Sequence, residues 1–161
     1  MLHFSRIEKK VVDVVTLNRM LHVWRFQSKK IVFTNGVFDI LHRGHIHSLS
    51  AARDFGDVLI VALNTDASVA RLKPGRPLQD EKTRAIVMAS LSLVDAVILF
   101  DEDTPLELIK FIQPDVLVKG GDYKPETVVG AEVVTATGGR VEIVQLLEGF
   151  STTAIEQKIK K

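Results

Sequence analysis

The sequence predicts an α/β protein built on a doubly wound, parallel, five-stranded sheet, and three observations carry that prediction. Apolar runs of strand length alternate with segments of helical period along the 161 residues. The run Val58-Leu59-Ile60-Val61-Ala62-Leu63 is apolar throughout and rich in β-branched residues, as a strand covered on both faces must be. Polar, glycine-bearing clusters follow the first, second, fourth and fifth such runs, so one edge of the sheet collects the residues able to do chemistry.

Residues 1–29 form an N-terminal helical segment ahead of a main domain at 30–161. Leu17, Met20, Leu21 and Trp24 recur at helical spacing behind Thr16 as a cap, and Arg25, Lys29 and Lys30 gather where the dipole favours cations. The apolar face carrying Trp24 suits burial in a core or against a second subunit, and a homodimer is the expectation. Lys30 to Thr34 is the first strand. The turn Asn35 to His45 leads into a helix from Ile46 to Phe55, closed by Gly56 as its C-cap. The second strand, Val58–Leu63, ends in Asn64-Thr65-Asp66, and Lys73 to Pro77 is a loop by its Pro and Gly content. A helix over 81–93, with Ile86, Ala89, Ser90 and Leu93 on one side, precedes a third strand over 94–100. Thr104 caps the next helix, with Pro105 first and Glu107 third, and Pro114 stops it. Asp115 to Val118 is the fourth strand, ending in Lys119-Gly120-Gly121-Asp122-Tyr123. A short helix over 127–135, a Gly138-Gly139 turn, a fifth strand over 141–146 and a last helix over 154–161, capped by Ser151-Thr152-Thr153, complete the chain.

With 21 basic and 20 acidic residues the net charge is +1, which argues against a nucleic-acid partner. The absence of cysteine removes disulfides, a thiolate nucleophile and Cys-based zinc sites. The start lacks an apolar signal-peptide core, and no apolar run approaches the roughly 18 residues of a membrane span. A cytoplasmic enzyme or binding domain without membrane contact is expected.

The stretch Asn35-Gly36-Val37-Phe38-Asp39-Ile40-Leu41-His42-Arg43-Gly44-His45 follows a strand and opens a helix, where α/β proteins seat phosphate groups. His42 and His45, three apart, share one face of the first turn, and Gly44 removes a side chain where a phosphate could approach the backbone. Imidazoles there can donate to an α-phosphate as negative charge builds, while a metal site with His47 is the competing reading of the same residues. Lys73 is a solvated loop lysine or a phosphate ligand. Asp39 is a turn or cap residue or a contact to sugar hydroxyls. Arg84 is a surface ion-pair partner of Glu81 or an anion ligand. Gly120 and Gly121 allow close approach of a base or ribose, though two glycines alone require only a turn. Ser151, Thr152 and Thr153 cap a helix whose start is also an anion site. Gly-x4-Gly-Lys-Ser/Thr, a Gly-x-Gly-x-x-Gly after the first strand and a Gly-x-Ser-x-Gly elbow are all absent, so P-loop, dinucleotide-binding and serine-hydrolase chemistry have no support.

The HxGH run resembles the signature of the cytidylyltransferase-like nucleotidyltransferases. The fuller string Thr34 to His45 is similar to the form in bacterial heptose 1-phosphate adenylyltransferases, which occur alone or as the C-terminal domain of bifunctional heptose kinase/adenylyltransferases. The likeness continues through Asn64-Thr65-Asp66, Arg71-Leu72-Lys73, Arg76-Pro77, Glu102 to Pro105, Val118 to Tyr123 and Ser151-Thr152-Thr153, with no counterpart of a kinase domain. Val37 stands where many relatives have Cys. The resemblance implies a Rossmann-like HxGH nucleotidyltransferase fold that transfers AMP from ATP, with Mg2+, to D-glycero-D-manno-heptose 1-phosphate for ADP-heptose and lipopolysaccharide synthesis. It implies His42, His45 and Lys73 as catalytic residues. For ATP it implies Asn35, Gly36, Val37, Phe38, His42, Gly44, His45, Lys119, Gly120, Gly121, Asp122, Ser151, Thr152 and Thr153. For the sugar phosphate it implies Asp39, Arg76 and Arg84, and it implies no resident metal site. A cytidylyltransferase acting on glycerol 3-phosphate or an aminoalcohol phosphate, and a non-catalytic nucleotide-binding module, are the alternatives.

Overall fold

A computed structural model describes residues 2–121 and 123–159, the side chain of Ala154 excepted. Strands β1 (Ile31–Gly36), β2 (Val58–Asn64), β3 (Ala96–Phe100), β4 (Val116–Gly120) and β5 (Arg140–Val144) form one sheet in the order β3-β2-β1-β4-β5, with every pairing parallel. The chain builds β1, β2 and β3 toward one edge, then crosses back to lay β4 and β5 on the other side of β1. The order therefore reverses at β1, and a crevice opens beyond the carboxyl ends of the strands beside it.

Alternation along each strand divides the core between two faces. Ile31 and Phe33 pack with Leu17 and Leu21 of α2 (Val14–Phe26), Ile109 and Ile112 of α6 (Leu106–Ile112) and Val134 of α7 (Ala131–Ala136). Val32 faces the other way, with Leu49 of α3 (Arg43–Asp54) and Ala85 and Met88 of α5 (Glu81–Ala89). Double coverage explains why β2 is buried at all seven positions. Ahead of α2, a first helix α1 (Leu2–Glu8) leads to Val12, whose N–H donates to the Val97 carbonyl beside β3. No helix among the described residues is long and apolar enough to cross a membrane.

Several boundaries differ from the sequence expectations for local reasons. Asp13, not Thr16, caps α2, its carboxylate accepting from the Thr16 N–H at 2.7 Å. Helix α4 (Asp66–Leu72), unforeseen in sequence, starts behind Thr65, whose hydroxyl accepts from the Ser68 N–H. α5 ends at Ala89 rather than Leu93, and its inner face is Arg84, Ala85, Met88 and Ala89. Pro105 takes the N-cap position of α6, with no side-chain cap bond from Thr104. A left-handed Gly130 splits the expected helix over 127–135 into a 3-10 turn at Pro125–Thr127 and α7. The last helix, α8, spans Thr152–Ile159, and its expected end at Lys161 lies outside the described residues.

Gly56 follows α3 but has no left-handed backbone, so it is not a C-cap of the expected kind. A Cβ there would stand 2.7 Å from both the Lys30 carbonyl oxygen and Val32 Cγ2. Its absence lets the α3–β2 connection press against β1. Gly56→Ala should therefore cost about 1–3 kcal/mol in urea unfolding, and Gly56→Asn, which a left-handed cap tolerates, should cost at least as much. Recovery of stability by the Asn variant would restore the capping explanation.

Candidate functional site

The site begins where β1 ends. Phe38 adopts a left-handed backbone (φ 48°), and a Cβ on Gly36 would meet its ring edge at 2.9 Å, so the turn needs glycine two residues earlier. The Phe38 ring tilts against His45 at 5.1 Å, and the His42 and His45 rings stack 3.8 Å apart at 20°. His42 is the N-cap residue of α3 and His45 lies in its first turn, so the helix starts earlier than the sequence predicts. Neither buried Nδ1 has a hydrogen-bond partner. Burial, then the neighbouring His42, pushes His45 down to about 4 against a weaker opposing pull from the Ile40 backbone, and burial also lowers His42. Both rings are therefore held neutral near pH 7. The rings themselves require glycine at 44, because a Cβ would lie 3.0 Å from His42 Nδ1 and 3.3 Å from Phe150 Cβ. His47 is exposed, and among the described residues no three His, Asp or Glu side chains are grouped to hold a metal.

Two of the three expected sugar-phosphate residues are committed to the protein. Arg84 is 1% exposed, with Nε donating to the Gln79 carbonyl at 3.0 Å and Nη1 to the Val37 carbonyl at 2.8 Å. Its Nη2 donates to the Asn64 carbonyl at 2.8 Å and to the Asp66 carboxylate at 2.7 Å. A phosphate in the cleft cannot reach a guanidinium so enclosed, and its ion pair is with Asp66 rather than Glu81. Asp39 is likewise buried, accepting from the Leu78 and Gln79 N–H groups and from Arg76 Nη1, each at 2.9 Å. Burial raises its pKa, but those N–H bonds and the Arg76 guanidinium outweigh burial and hold the carboxyl below its usual range. Asp39 is thus an anchor for the loop at 76–79, with its acceptor capacity filled. Arg76 remains partly open and also pairs with Glu156 of α8.

The remaining residues enclose a cleft of three connected lobes. One is lined by Val37, Phe38, Asp39, His45, Lys73, Arg76, Thr152 and Thr153. A second, more apolar lobe includes Thr34, Phe38, His45, Ser48, Leu49, Val118, Lys119, Gly120 and Leu146. The third is bounded by Asn64, Leu72, Lys73, Asp103, Thr104, Pro105, Lys119 and Tyr123, with Thr127 to Val129 closing it. Asn35 and Gly36 line the second and third, and Val37 lines all three. Lys119 Nζ lies 3.5 Å from Asn35 Oδ1, and burial lowers its pKa. Gly120 packs beneath Leu146, and Gly121, at φ 125°, donates its N–H to the Val144 carbonyl. Ser151 is exposed just ahead of α8, and Asp122 lies outside the described residues. Asn64, Asp103, Thr104, Tyr123, Leu146 and Glu156 were not expected in the site. The polar strand end at Asn64 and the family likeness over 102–105 and 118–123 were the sequence signals for the first four; Leu146 and Glu156 had none.

A family model described as cytidylyltransferase-like matches residues 33–158. The bifunctional protein HldE of Syntrophotalea carbinolica is 52% identical over 158 residues, covering 98% of this chain and 32% of that protein. HldE of Citrifermentans bemidjiense is 58% identical over 153 residues, covering 94% and 31%. The chain thus spans about a third of the length of these curated relatives. The crystal structure of a lipopolysaccharide core biosynthesis protein from Thermoplasma volcanium is 34% identical at a TM-score of 0.60, covering 74% of this chain and 97% of that one. Pantoate-beta-alanine ligase from Francisella tularensis, at 16% identity and a TM-score of 0.61 over 93% of this chain and 76% of that one, shares the fold. Stacked HxGH histidines over a sheet that reverses at β1, and a family match across most of the sequence, lead to one conclusion: this chain belongs to the cytidylyltransferase-like family.

Proposed function

We propose that the protein transfers AMP from ATP to D-glycero-D-manno-heptose 1-phosphate, yielding ADP-heptose and pyrophosphate for lipopolysaccharide core or a related surface glycan. The observation that carries the reading is the meeting of three chemically distinct lobes at Val37, beside the stacked imidazoles. The lobe with Lys73, Arg76, Thr152 and Thr153 offers cations and hydroxyls suited to the β- and γ-phosphates. The lobe walled by Leu49, Val118, Gly120 and Leu146 suits a nucleoside. The lobe with Asn64, Asp103, Thr104 and Tyr123 brings amide, carboxylate and hydroxyl groups that suit a sugar. Heptose and adenine rest on the likeness of the Thr34–His45 string to heptose 1-phosphate adenylyltransferases, and similarity to a lipopolysaccharide core biosynthesis protein supports the pathway.

The sugar phosphate oxygen attacks the α-phosphorus in line, and the bond to the bridging oxygen breaks, its electron pair leaving with pyrophosphate. No covalent intermediate on the protein is needed, so catalysis is positioning plus electrostatic stabilisation. A neutral His45 donates an N–H to the α-phosphate, and the approach of the triphosphate favours its protonation as charge builds. Lys73, Arg76, Thr152 and Thr153 would hold a triphosphate brought in as its magnesium complex, in which the metal would supply charge neutralisation for the leaving pyrophosphate.

A matrix of ATP and CTP against heptose 1-phosphate and glycerol 3-phosphate, read by pyrophosphate release, should show turnover with ATP and the heptose. Turnover confined to CTP would assign a cytidylyltransferase, and none with any pair would leave a binding module. His45→Ala should fold and lose about 10²–10⁴ in kcat; near-normal pyrophosphate release by this variant would reject the mechanism.

The depressed His45 pKa also has a stability consequence. Between 6.5 and about 4 the unfolded imidazole binds a proton that the folded one refuses. This contribution to stability is complete above pH 6.5 and is lost progressively as pH falls to about 4. His45→Gln lacks the titration, so its melting temperature should gain on that of the wild type as pH drops through the window. A constant offset between the two would show that the fold does not hold His45 neutral.

A further inference from the structure

We infer that Lys119 is a catalytic residue that holds the acceptor's attacking phosphate against the α-phosphorus. The inference rests on the nucleotidyl transfer proposed above and adds a group for the attacking side. The α-phosphorus is bonded to the nucleoside, is losing pyrophosphate and is gaining the acceptor, so it must lie where the three lobes meet. Among the described residues, Val37 alone lines all of them. Each pair of lobes also shares one side chain that can carry positive charge. His45 stands between the nucleoside and pyrophosphate lobes, and Lys73 between the pyrophosphate and acceptor lobes. Lys119 stands between the nucleoside and acceptor lobes, where the acceptor phosphate approaches the α-phosphate.

The surroundings of Lys119 fit that task. Arg71, Arg76 and Arg84 are each paired with carboxylates, and Arg43 lies over the Phe150 ring. The recorded hydrogen-bond partner of the Lys119 ammonium is the Asn35 amide oxygen, at 3.5 Å. An ammonium has three donors, and among the described residues no carboxylate pairs with this one, which leaves donors for an arriving anion. β4 holds the residue rigidly, because Val118 pairs with Thr34 of β1 and Lys119 with Ile143 of β5. Two anions must come within bonding distance for transfer, and a fixed cation beside both offsets their repulsion. In the step itself an acceptor phosphate oxygen bonds to the α-phosphorus as the bond to pyrophosphate breaks. The Lys119 proton is not transferred.

The test uses Lys119→Met, which keeps the apolar stem, and Lys119→Arg, which keeps the charge. kcat/KM for heptose 1-phosphate is measured by pyrophosphate release, and the Kd of a non-hydrolysable ATP analogue with magnesium by calorimetry. Lys119→Met should remain folded in thermal melts and lose about 100-fold in acceptor kcat/KM. Its analogue Kd should weaken at least about tenfold less than the acceptor term, and Lys119→Arg should regain part of the acceptor term. Unchanged acceptor kinetics, or equal losses for analogue and acceptor, would overturn the role of Lys119 while leaving the transfer reaction intact. A wild-type protein inactive with every nucleotide and acceptor would overturn the parent reading and this inference together.

Discussion

The site depends first on one buried guanidinium. Arg84 is held by the carbonyls of Gln79, Val37 and Asn64 and by the Asp66 carboxylate. A charge taken out of water is tolerated only when paired and hydrogen-bonded, and this one meets both conditions. Its partners are the turn after β1, the end of β2, the start of α4 and the loop leading to α5. In a parallel sheet such segments share no ladder bonds beyond the strand ends, so they are where the fold would otherwise be least constrained. Arg84 joins them at one point and fixes Val37, around which the three lobes are arranged.

A second cation repeats the logic with more freedom. Arg76 joins Asp39, behind the same turn, to Glu156 of α8, the helix that carries Thr152 and Thr153 into the cleft. Arg71 ties α4 to Asp101 and Asp103 after β3. Lys73 lies exposed between these two ties. On the proposed reaction, the chain can bring its ammonium to the phosphates without disturbing Val37. Rigidity is concentrated where phosphorus changes partners, and adaptability where pyrophosphate must leave.

This division explains what could be read in the sequence. Strand runs and the HxGH turn are local patterns: alternation, glycine and a strand-to-helix junction lie within a dozen residues, so sheet class, strand count and paired histidines follow directly. The roles of Arg84 and Asp39 are not local. Arg84 finds its acceptors 5 to 47 residues away, and Asp39 finds its donors 37 to 40 residues on. In sequence each resembles any charged residue near a substrate, whereas burial and saturated hydrogen bonding make both structural. Gly56 misleads in the same way. Its place after a helix suggests a cap, but Lys30 and Val32 decide it.

The sheet order also gives the reaction its direction. Residues at the end of β2 and after β3, namely Asn64, Asp103 and Thr104, line the proposed acceptor lobe together with Tyr123, Thr127, Val128 and Val129. Those at the ends of β4 and β5, Gly120 and Leu146, line the proposed nucleoside lobe. On the proposed reaction, because the order reverses at β1, the two substrates would enter from opposite sides of one central strand and meet at its carboxyl end, with His45, Lys73 and Lys119 each at one junction. In-line displacement requires the attacking and leaving oxygens on opposite faces of phosphorus, and a switch point offers separate approaches to both. On that reaction, a protein of this design could change its acceptor by altering the segments after β2 and β3, leaving untouched the stacked histidines and the Arg84 clamp beside the proposed position of the phosphorus.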